Sequence, residues 1–568
     1  MSRKASLLLS LGIWLLMAVF RVTVPSTLAD KDQPKIASYT LDIVDRGQWV
    51  LQYNSDGEVA TKPPLYQWVV GGLALATGRL NDWILISPAL LSGLVILLIV
   101  WSWAGRMGTR AAEVGYWSRC APEPGGNGAG AEADLPDARD SPHSLGNELA
   151  FLAAVVWTLT YHVQRLQWTA RTDSMVAAMG LGAIAAAWKL GQANSPGAKA
   201  FWRWTFWGVL ALGMLTKGVV APAVALGAVG MECLARRTTR PLLDLWPWFG
   251  LPLISLVFLL WFNAAWMRGG EVFWNTLIGE EMVHHVTGTR ERAHNTRPVY
   301  YFLPVFVGRF LPWSVLLLLA LPRWWKEKLW RRDHPFLAPA AWTLGILLVF
   351  SIPRGKRPDH IFPIYAPAAV LAAVVLMEWI RSGWGAFGWK LKPALLAALP
   401  RGDALRRRRA WKALAAITAA SIIAAFHFLI EPAQTRIGEQ TRRFGTQAAA
   451  IIARSPAEVH YCEVRNSLVH FYLRTHSPSL TLPELIEKLE TEAAAPRRGE
   501  KFRAWIILPF SSAERLQSRL SNHPYLRVRE VLRVDAAEKE MEALTLALAE
   551  NRVHSAAPAS PRHPASRE

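Results

Sequence analysis

About eleven apolar runs recur along this chain, near 6–24, 82–104, 148–164, 174–191, 203–216, 218–235, 245–266, 299–320, 335–352, 361–380 and 410–430. Each approaches the roughly 20 residues a helix needs to cross a hydrocarbon core. Inside a bilayer no water satisfies backbone N–H and C=O groups, so such runs close on themselves as helices. The expected fold class is therefore an α-helical polytopic membrane protein. A composition of 52% hydrophobic residues with 28 tryptophans suits that solvent.

Residues 1–25 combine a basic start with an apolar stretch. The stretch is long, is interrupted by Arg21 and ends without a small-residue cleavage site, so a retained first helix is expected. The segment 63–78 reads either as a short span or as a helix lying in the interface. Loop parity favours the interface. Placing Ser2-Arg3-Lys4 inside by the positive-inside rule puts 25–81, 165–173, the turn at 217, 267–298 and 353–360 outside. The strongest basic loops (236–244, 321–334 and 381–409) then fall inside. The count of spans stays open between eleven and thirteen.

Three regions follow. Residues 1–430 form the transmembrane part, with outer loops 25–81 and 267–298 and a cytoplasmic insert at 105–147. The Gly/Ala/Pro/Asp-rich core of that insert reads as disordered. Residues 431–552 change character. A helical pattern at 436–454 is followed by strand-like runs such as EVHYCEV and RAWIILP, which indicate a small α/β extracytoplasmic domain. The tail 553–568 is Ala/Pro/Ser-rich and expected to be disordered.

The net charge is +20, from 63 basic and 43 acidic residues. The excess sits in short loops between apolar runs, where it sets orientation and meets anionic lipid rather than nucleic acid. Cys120, Cys233 and Cys462 lie too far apart in sequence to suggest a disulfide framework or a zinc site. Cys462 reads as a core residue of the outer domain. Trp313, Trp324 and Trp325 read as interface-belt residues.

With this parity the polar clusters share one side of the membrane. They are ADKDQPK and ATKPP in the first outer loop, ARTDS in the second, TKG at 216–218, GEEMVHH to HNTRP in the long loop, and IPRGKRPDH. One charged helix end means little; five on one face look like a site. Lys62, Arg171, Lys217, Arg290, Arg292, Arg297, Arg354, Lys356 and Arg357 are cations at or just above membrane depth. Arginine grips phosphate in a fork and lysine adds a point charge, so the set suits a lipid-borne phosphate. Asp30 and Asp32 stand where the first span leaves the membrane, and either suits a general base for an incoming hydroxyl. Lys62 precedes two prolines and an aromatic run in ATKPPLYQWV; it snorkels to headgroups or holds the phosphate. Asp173 reads as a cap for a helix beginning at Ser174, or as a member of the site. His294 and His360 are further candidates. No P-loop and no Rossmann fingerprint occurs, so nucleotide binding is not indicated.

In order along the chain, DQPKIASYTLDIVDRGQWV, TKPPLYQWV, ARTDSMVAAMGL, LGMLTKGVV, HNTRPVYYFLPVFVGRFLPW and SIPRGKRPDHIFPIYAPAAVLA resemble the landmarks of the GT-C glycosyltransferases. The group is that of protein O-mannosyltransferase-like enzymes, and above all the bacterial aminoarabinose transferases that modify lipid A. The resemblance covers roughly residues 5–380. It implies a GT-C membrane fold and transfer of a sugar from a polyprenyl-phosphate carrier to an acceptor (lipid, protein or glycan) on the outer face. It implies inversion at the anomeric carbon and no nucleotide. Counting back from Gly47 places Asp32 on the family's catalytic aspartate, with Asp30 the competitor if the register slips. Lys62 falls on the family's lysine for the carrier phosphate, and Arg171, Lys217, Arg297, Lys356 and Arg357 join it as donor-phosphate candidates.

Three departures stand out. Gln33 replaces an acid, Thr61 replaces the glutamate before the lysine, and the counterpart of a metal-holding histidine falls at Met282. Glu280, Glu281, His284 and His285 lie close by and suit a divalent metal, but no metal is assigned. The rival readings are a transporter or flippase of lipid-linked sugars, which needs the cations but not Asp32, and a non-catalytic family member.

Overall fold

The computed structural model describes residues 1–22, 28, 32–117, 141–283, 297–382, 431–464, 467–494, 502–521, 523, 526–534 and 543–551. It divides into two compact units, Met1–Gln52 with Val59–Thr435, and Tyr53–Glu58 with Arg436–Glu568.

The first unit is helical. Its elements begin with α1 (Arg3–Val22), α2 (Gln33–Arg46), α3 (Leu65–Thr77), α4 (Asp82–Glu113), α5 (Pro142–Leu159) and α6 (Tyr161–Leu166). They continue with α7 (Thr172–Leu190), α8 (Pro196–Lys217), α9 (Val220–Arg236), α10 (Arg240–Leu243) and α11 (Pro247–Trp274). The last are α12 (Phe302–Arg309), α13 (Trp313–Lys326), α14 (Leu337–Ser351) and α15 (Tyr365–Ser382). Local chemistry sets several starts. The side chains of Asn81, Ser141 and Ser195 accept from the N–H groups of Ile84, Ser144 and Ala198, which satisfies donors that a helix start otherwise leaves open.

Helices cover ten of the eleven expected runs, and the run near 410–430 lies outside the described residues. Asp82–Glu113, Pro247–Gly279 and Pro358–Arg381 are long and apolar enough to cross a membrane alone. The protein is integral to the membrane. The run 299–320 is not straight: the chain bends by 112° between α12 and α13. Pro312 caps α13 and has no N–H with which to continue α12. The segment 63–78 gives a helix of 13 residues, about 20 Å long and so shorter than a hydrocarbon core. Trp313 and Trp324 are buried in the bundle, and only Trp325 of the expected belt is exposed.

Small residues let the helices approach. A Cβ on Gly345 of α14 would lie 2.4 Å from the carbonyl oxygen of Gly227 on α9, so backbone meets backbone there, a packing mode typical of membrane helices. A Cβ on Gly71 of α3 would lie 2.8 Å from the Ile43 side chain of α2. Helix α2 therefore seats directly on α3. Tyr66 fixes α3 in turn, because its hydroxyl donates to the carbonyl of Leu85 at 2.7 Å.

The second unit carries helices α16 (Glu431–Arg454), α17 (Ser467–Leu473), α18 (Leu482–Ala494) and α19 (Phe510–Leu520), with a five-stranded sheet. The strands are β1 (Glu458–Cys462), β2 (Ser479–Leu480), β3 (Arg503–Pro509), β4 (Leu526–Val534) and β5 (Leu544–Asn551), in the order β2-β1-β3-β5-β4. β1 runs parallel to β2 and β3, while β5 is antiparallel to β3 and β4. EVHYC and RAWIILP are β1 and β3, as their β-branched and aromatic content indicates. Cys462 is fully buried in the core under the sheet, and burial pushes its thiol up to about 12.

Candidate active site

Asp32 occupies the position before α2, but its side chain makes no capping hydrogen bond. It points instead into a group of cations. Nζ of Lys62 lies 3.9 Å from its Oδ1, and Arg171 and Arg357 approach its Oδ2 at 3.4 and 3.5 Å. Burial opposes ionisation of this carboxyl; the charges of Lys62, Arg171 and Arg357 more than offset that and hold it below the usual carboxylate range. The headgroup-snorkelling reading of Lys62 yields to this pairing.

Arg171 is the hub. Its Nε lies 3.0 Å from Asp173, one terminal nitrogen lies 3.0 Å from Asp359, and the other faces Asp32. Asp173 also receives Lys217 at 2.6 Å. Asp359 also receives Arg309 at 2.7 Å and Arg165 at 3.0 Å, with His162 at 3.5 Å. Three carboxylates thus face six cations: Lys62, Arg165, Arg171, Lys217, Arg309 and Arg357. The surplus of positive charge is the main electrostatic fact of the site. Asp173 and Asp359 are almost wholly buried, whereas Asp32 and Lys62 each keep 24% side-chain exposure. Asp32 is the carboxylate of the three that reaches an open surface. A cavity of 50 Å³ adjoins the buried pair, lined in part by Asp173, Lys217, Asp359 and His360.

Antiparallel helix ends assemble the cluster. Asp173 opens α7 and Lys217 closes α8; Arg309 closes α12; Arg357 and Asp359 lie between α14 and α15. Gln33 locks the first loop onto the second: its Oε1 accepts from the N–H of Ala170 at 2.8 Å, and the side chain is buried. A neutral amide serves that buried contact without introducing a fourth charge, which accounts for glutamine at this position.

Several expectations change. Asp173 does not cap α7; Arg171 holds the capping position, and Asp173 lies inside the first turn as an ion-pair partner. Lys356 does not face the cluster. Its buried ammonium donates to the carbonyls of Pro353 at 2.5 Å and Arg297 at 3.2 Å, so it folds the loop instead. Arg297 is exposed; its N–H donates to the carbonyl of Arg354 and its guanidinium stands 5.6 Å from the Tyr301 ring. Asp30, His284, His285 and His294, with the side chains of Glu280 and Glu281, lie outside the described residues. Among the described residues one group has metal-ligand spacing, Glu458, His460 and Glu492, and it belongs to the second unit.

Asp359, Arg165, Arg309 and His162 escaped the sequence reading. A signal for three of them was there: Arg309, His162 and Arg165 lie between apolar runs, in VFVGRFLPW and TYHVQRLQW, where an idle charge is costly.

A helical membrane unit joined to a small α/β unit is the GT-C fold that the motifs lead one to expect. The fold matches that of ArnT from Cupriavidus metallidurans, in complex with undecaprenyl phosphate (TM-score 0.65, 19% identity, 95% of this chain and 97% of that one) and in the apo state (0.65, 18%, 96% and 98%). In sequence the chain is similar to undecaprenyl phosphate-alpha-4-amino-4-deoxy-L-arabinose arabinosyl transferases. It is 33% identical to that of Serratia proteamaculans over 171 residues, 30% of each chain. It is 25% identical to that of Enterobacter sp. (strain 638) over 378 residues, 66% of this chain and 59% of the relative. The matched stretch thus spans under a third of the Serratia protein's length. No protein-family model matches the chain. The resemblance to aminoarabinose transferases and the GT-C fold read from the motifs are borne out.

Proposed function

We propose that the protein transfers a sugar from a polyprenyl-phosphate carrier to an envelope acceptor, with inversion at the anomeric carbon. The observation that carries this is the six-to-three surplus of cations around a partly exposed carboxylate. A resident carboxylate network needs no such surplus; a carrier phosphate uses it. The acceptor oxygen attacks the anomeric carbon, its proton passes to Asp32, and the bond from that carbon to the phosphate oxygen breaks. Polyprenyl phosphate leaves with the bonding electron pair. Lys62 and Arg357, the more loosely held partners of Asp32, stabilise the charge growing on the leaving phosphate. Arg171, fixed by two buried carboxylates, orients Asp32.

The relatives' printed names support undecaprenyl phosphate as the carrier. The loop parity supports an active site and second unit on the outer face of a bacterial inner membrane. Gln33, Thr61 and Met282 leave the sugar and the acceptor class unassigned.

The test uses purified protein in nanodiscs with radiolabelled polyprenyl-phosphate sugars and envelope acceptor fractions. Wild type should release polyprenyl phosphate with labelled product. Asp32→Asn should bind the donor yet turn over about 10²- to 10⁴-fold more slowly, the usual weight of a general base. Equal turnover by the two proteins would refute the assignment.

A further inference from the structure

The end of the bundle away from Asp32 holds a second cationic centre. A cavity of 470 Å³ opens between the start of α1, the ends of α4, α7 and α9, and the starts of α5 and α14. Arg3, Arg106, Arg110 and Arg236 line it, against one lining carboxylate, Glu113. Arg236 is taken up by Glu232 at 2.8 Å. Arg3, Arg106 and Arg110 have no carboxylate at ion-pair distance among the described residues. Two of them stand over tryptophans instead, Arg3 at 5.6 Å from the Trp101 ring and Arg106 at 5.9 Å from Trp188.

The depth follows from α7. Asp173 opens that helix in the carboxylate cluster, and Trp188 lies fifteen residues on, in the cavity wall. At about 1.5 Å per residue the two centres are roughly 22 Å apart along α7, most of the way across a hydrocarbon core of about 30 Å. The cavity therefore lies toward the headgroups of the other leaflet. Tryptophan walls suit that interface. Three arginines without acid partners, in a cavity at that depth, suit an anion delivered by the lipid rather than by bulk water. The transfer chemistry does not use them.

We propose that this cavity binds the phosphate of an anionic glycerophospholipid from the leaflet opposite the carboxylate cluster, its acyl chains lying against the apolar helices. Guanidinium pairs with a phosphodiester at charge-assisted strength, and the tryptophans flank the glycerol region.

The test is native mass spectrometry of the full chain in detergent, titrated with phosphatidylglycerol, phosphatidylcholine or inorganic phosphate. Wild type should retain one tightly held phosphatidylglycerol and no matching phosphatidylcholine. R106Q/R110Q should weaken it about 100-fold, roughly tenfold per charge-assisted contact removed. R3Q, a milder change at an exposed position, should weaken it about tenfold. D32N, at the far end, and R240Q, which removes the same charge from α10, outside the cavity lining, should retain it. Matching thermal midpoints in phosphatidylcholine micelles would establish that the arginine variants are folded. Unchanged phosphatidylglycerol retention in folded R106Q/R110Q and R3Q would overturn the proposal. So would equal loss in R240Q, which would mean general charge attraction, or displacement by inorganic phosphate at low millimolar concentration, which would mean a site for a free anion.

Discussion

Arg171 offers the sharpest test of how the site is built. Its three nitrogens address three different carboxylates, two of them at 3.0 Å and almost wholly buried. Arg171→Gln removes two charge-assisted hydrogen bonds of about 1.5–3 kcal/mol each. Neither carboxylate is left alone: Asp173 keeps Lys217, and Asp359 keeps Arg309 and Arg165. The cost should therefore fall near the lower bound, about 3 kcal/mol, rather than at the 3–5 kcal/mol of a fully broken buried pair. Arg171→Lys should recover little, because one ammonium cannot reach three carboxylates. Arg165→Gln is the control: it pairs with Asp359 at 3.0 Å and is 22% exposed, so about 1 kcal/mol or less is expected. The assay is reversible unfolding in mixed detergent. R171Q/D173N should cost less than the sum of the two single variants, since each removes the other's partner. A cost for R171Q no larger than that for R165Q, or strict additivity with D173N, would refute the hub.

Two further outcomes are expected. Lys62→Gln and Arg357→Gln should each weaken carrier-phosphate binding about tenfold, with affinity less sensitive to salt than in wild type; unchanged affinity in both would remove them from the phosphate site. In the second unit, burial and then the nearby His476 lower the His470 imidazole to about 4. The unfolded chain binds a proton near pH 6.5 and the folded chain does not, so the stabilisation is complete above 6.5 and is lost as pH falls toward 4, by about 3 kcal/mol in all. Limited proteolysis of this unit should accelerate from pH 7.5 to pH 5, and less so in His470→Leu; equal acceleration in the two would refute it.

The sequence by itself determined what the solvent imposes. Long apolar runs are helical because lipid leaves a backbone no other partner, and ten of them are found where the runs lie. EVHYC and RAWIILP are strands because that composition suits a buried sheet. The motif order pointed to Asp32 and Lys62, which the structure brings within 3.9 Å. Distance across the membrane end was not legible. Asp359 reads like any loop acid until α14 and α15 carry it to Arg171, Arg309 and Arg165, between 50 and 194 residues away in sequence. Lys356, three positions earlier, reads as the better phosphate ligand, yet the turn aims it at two carbonyls. The bend between α12 and α13 is hidden too, since apolarity marks where a run can be buried and not whether it stays straight. A side chain's type states which interactions it can make. Which partner it meets depends on how helix ends from distant parts of the chain come together, and only the packed structure decides that.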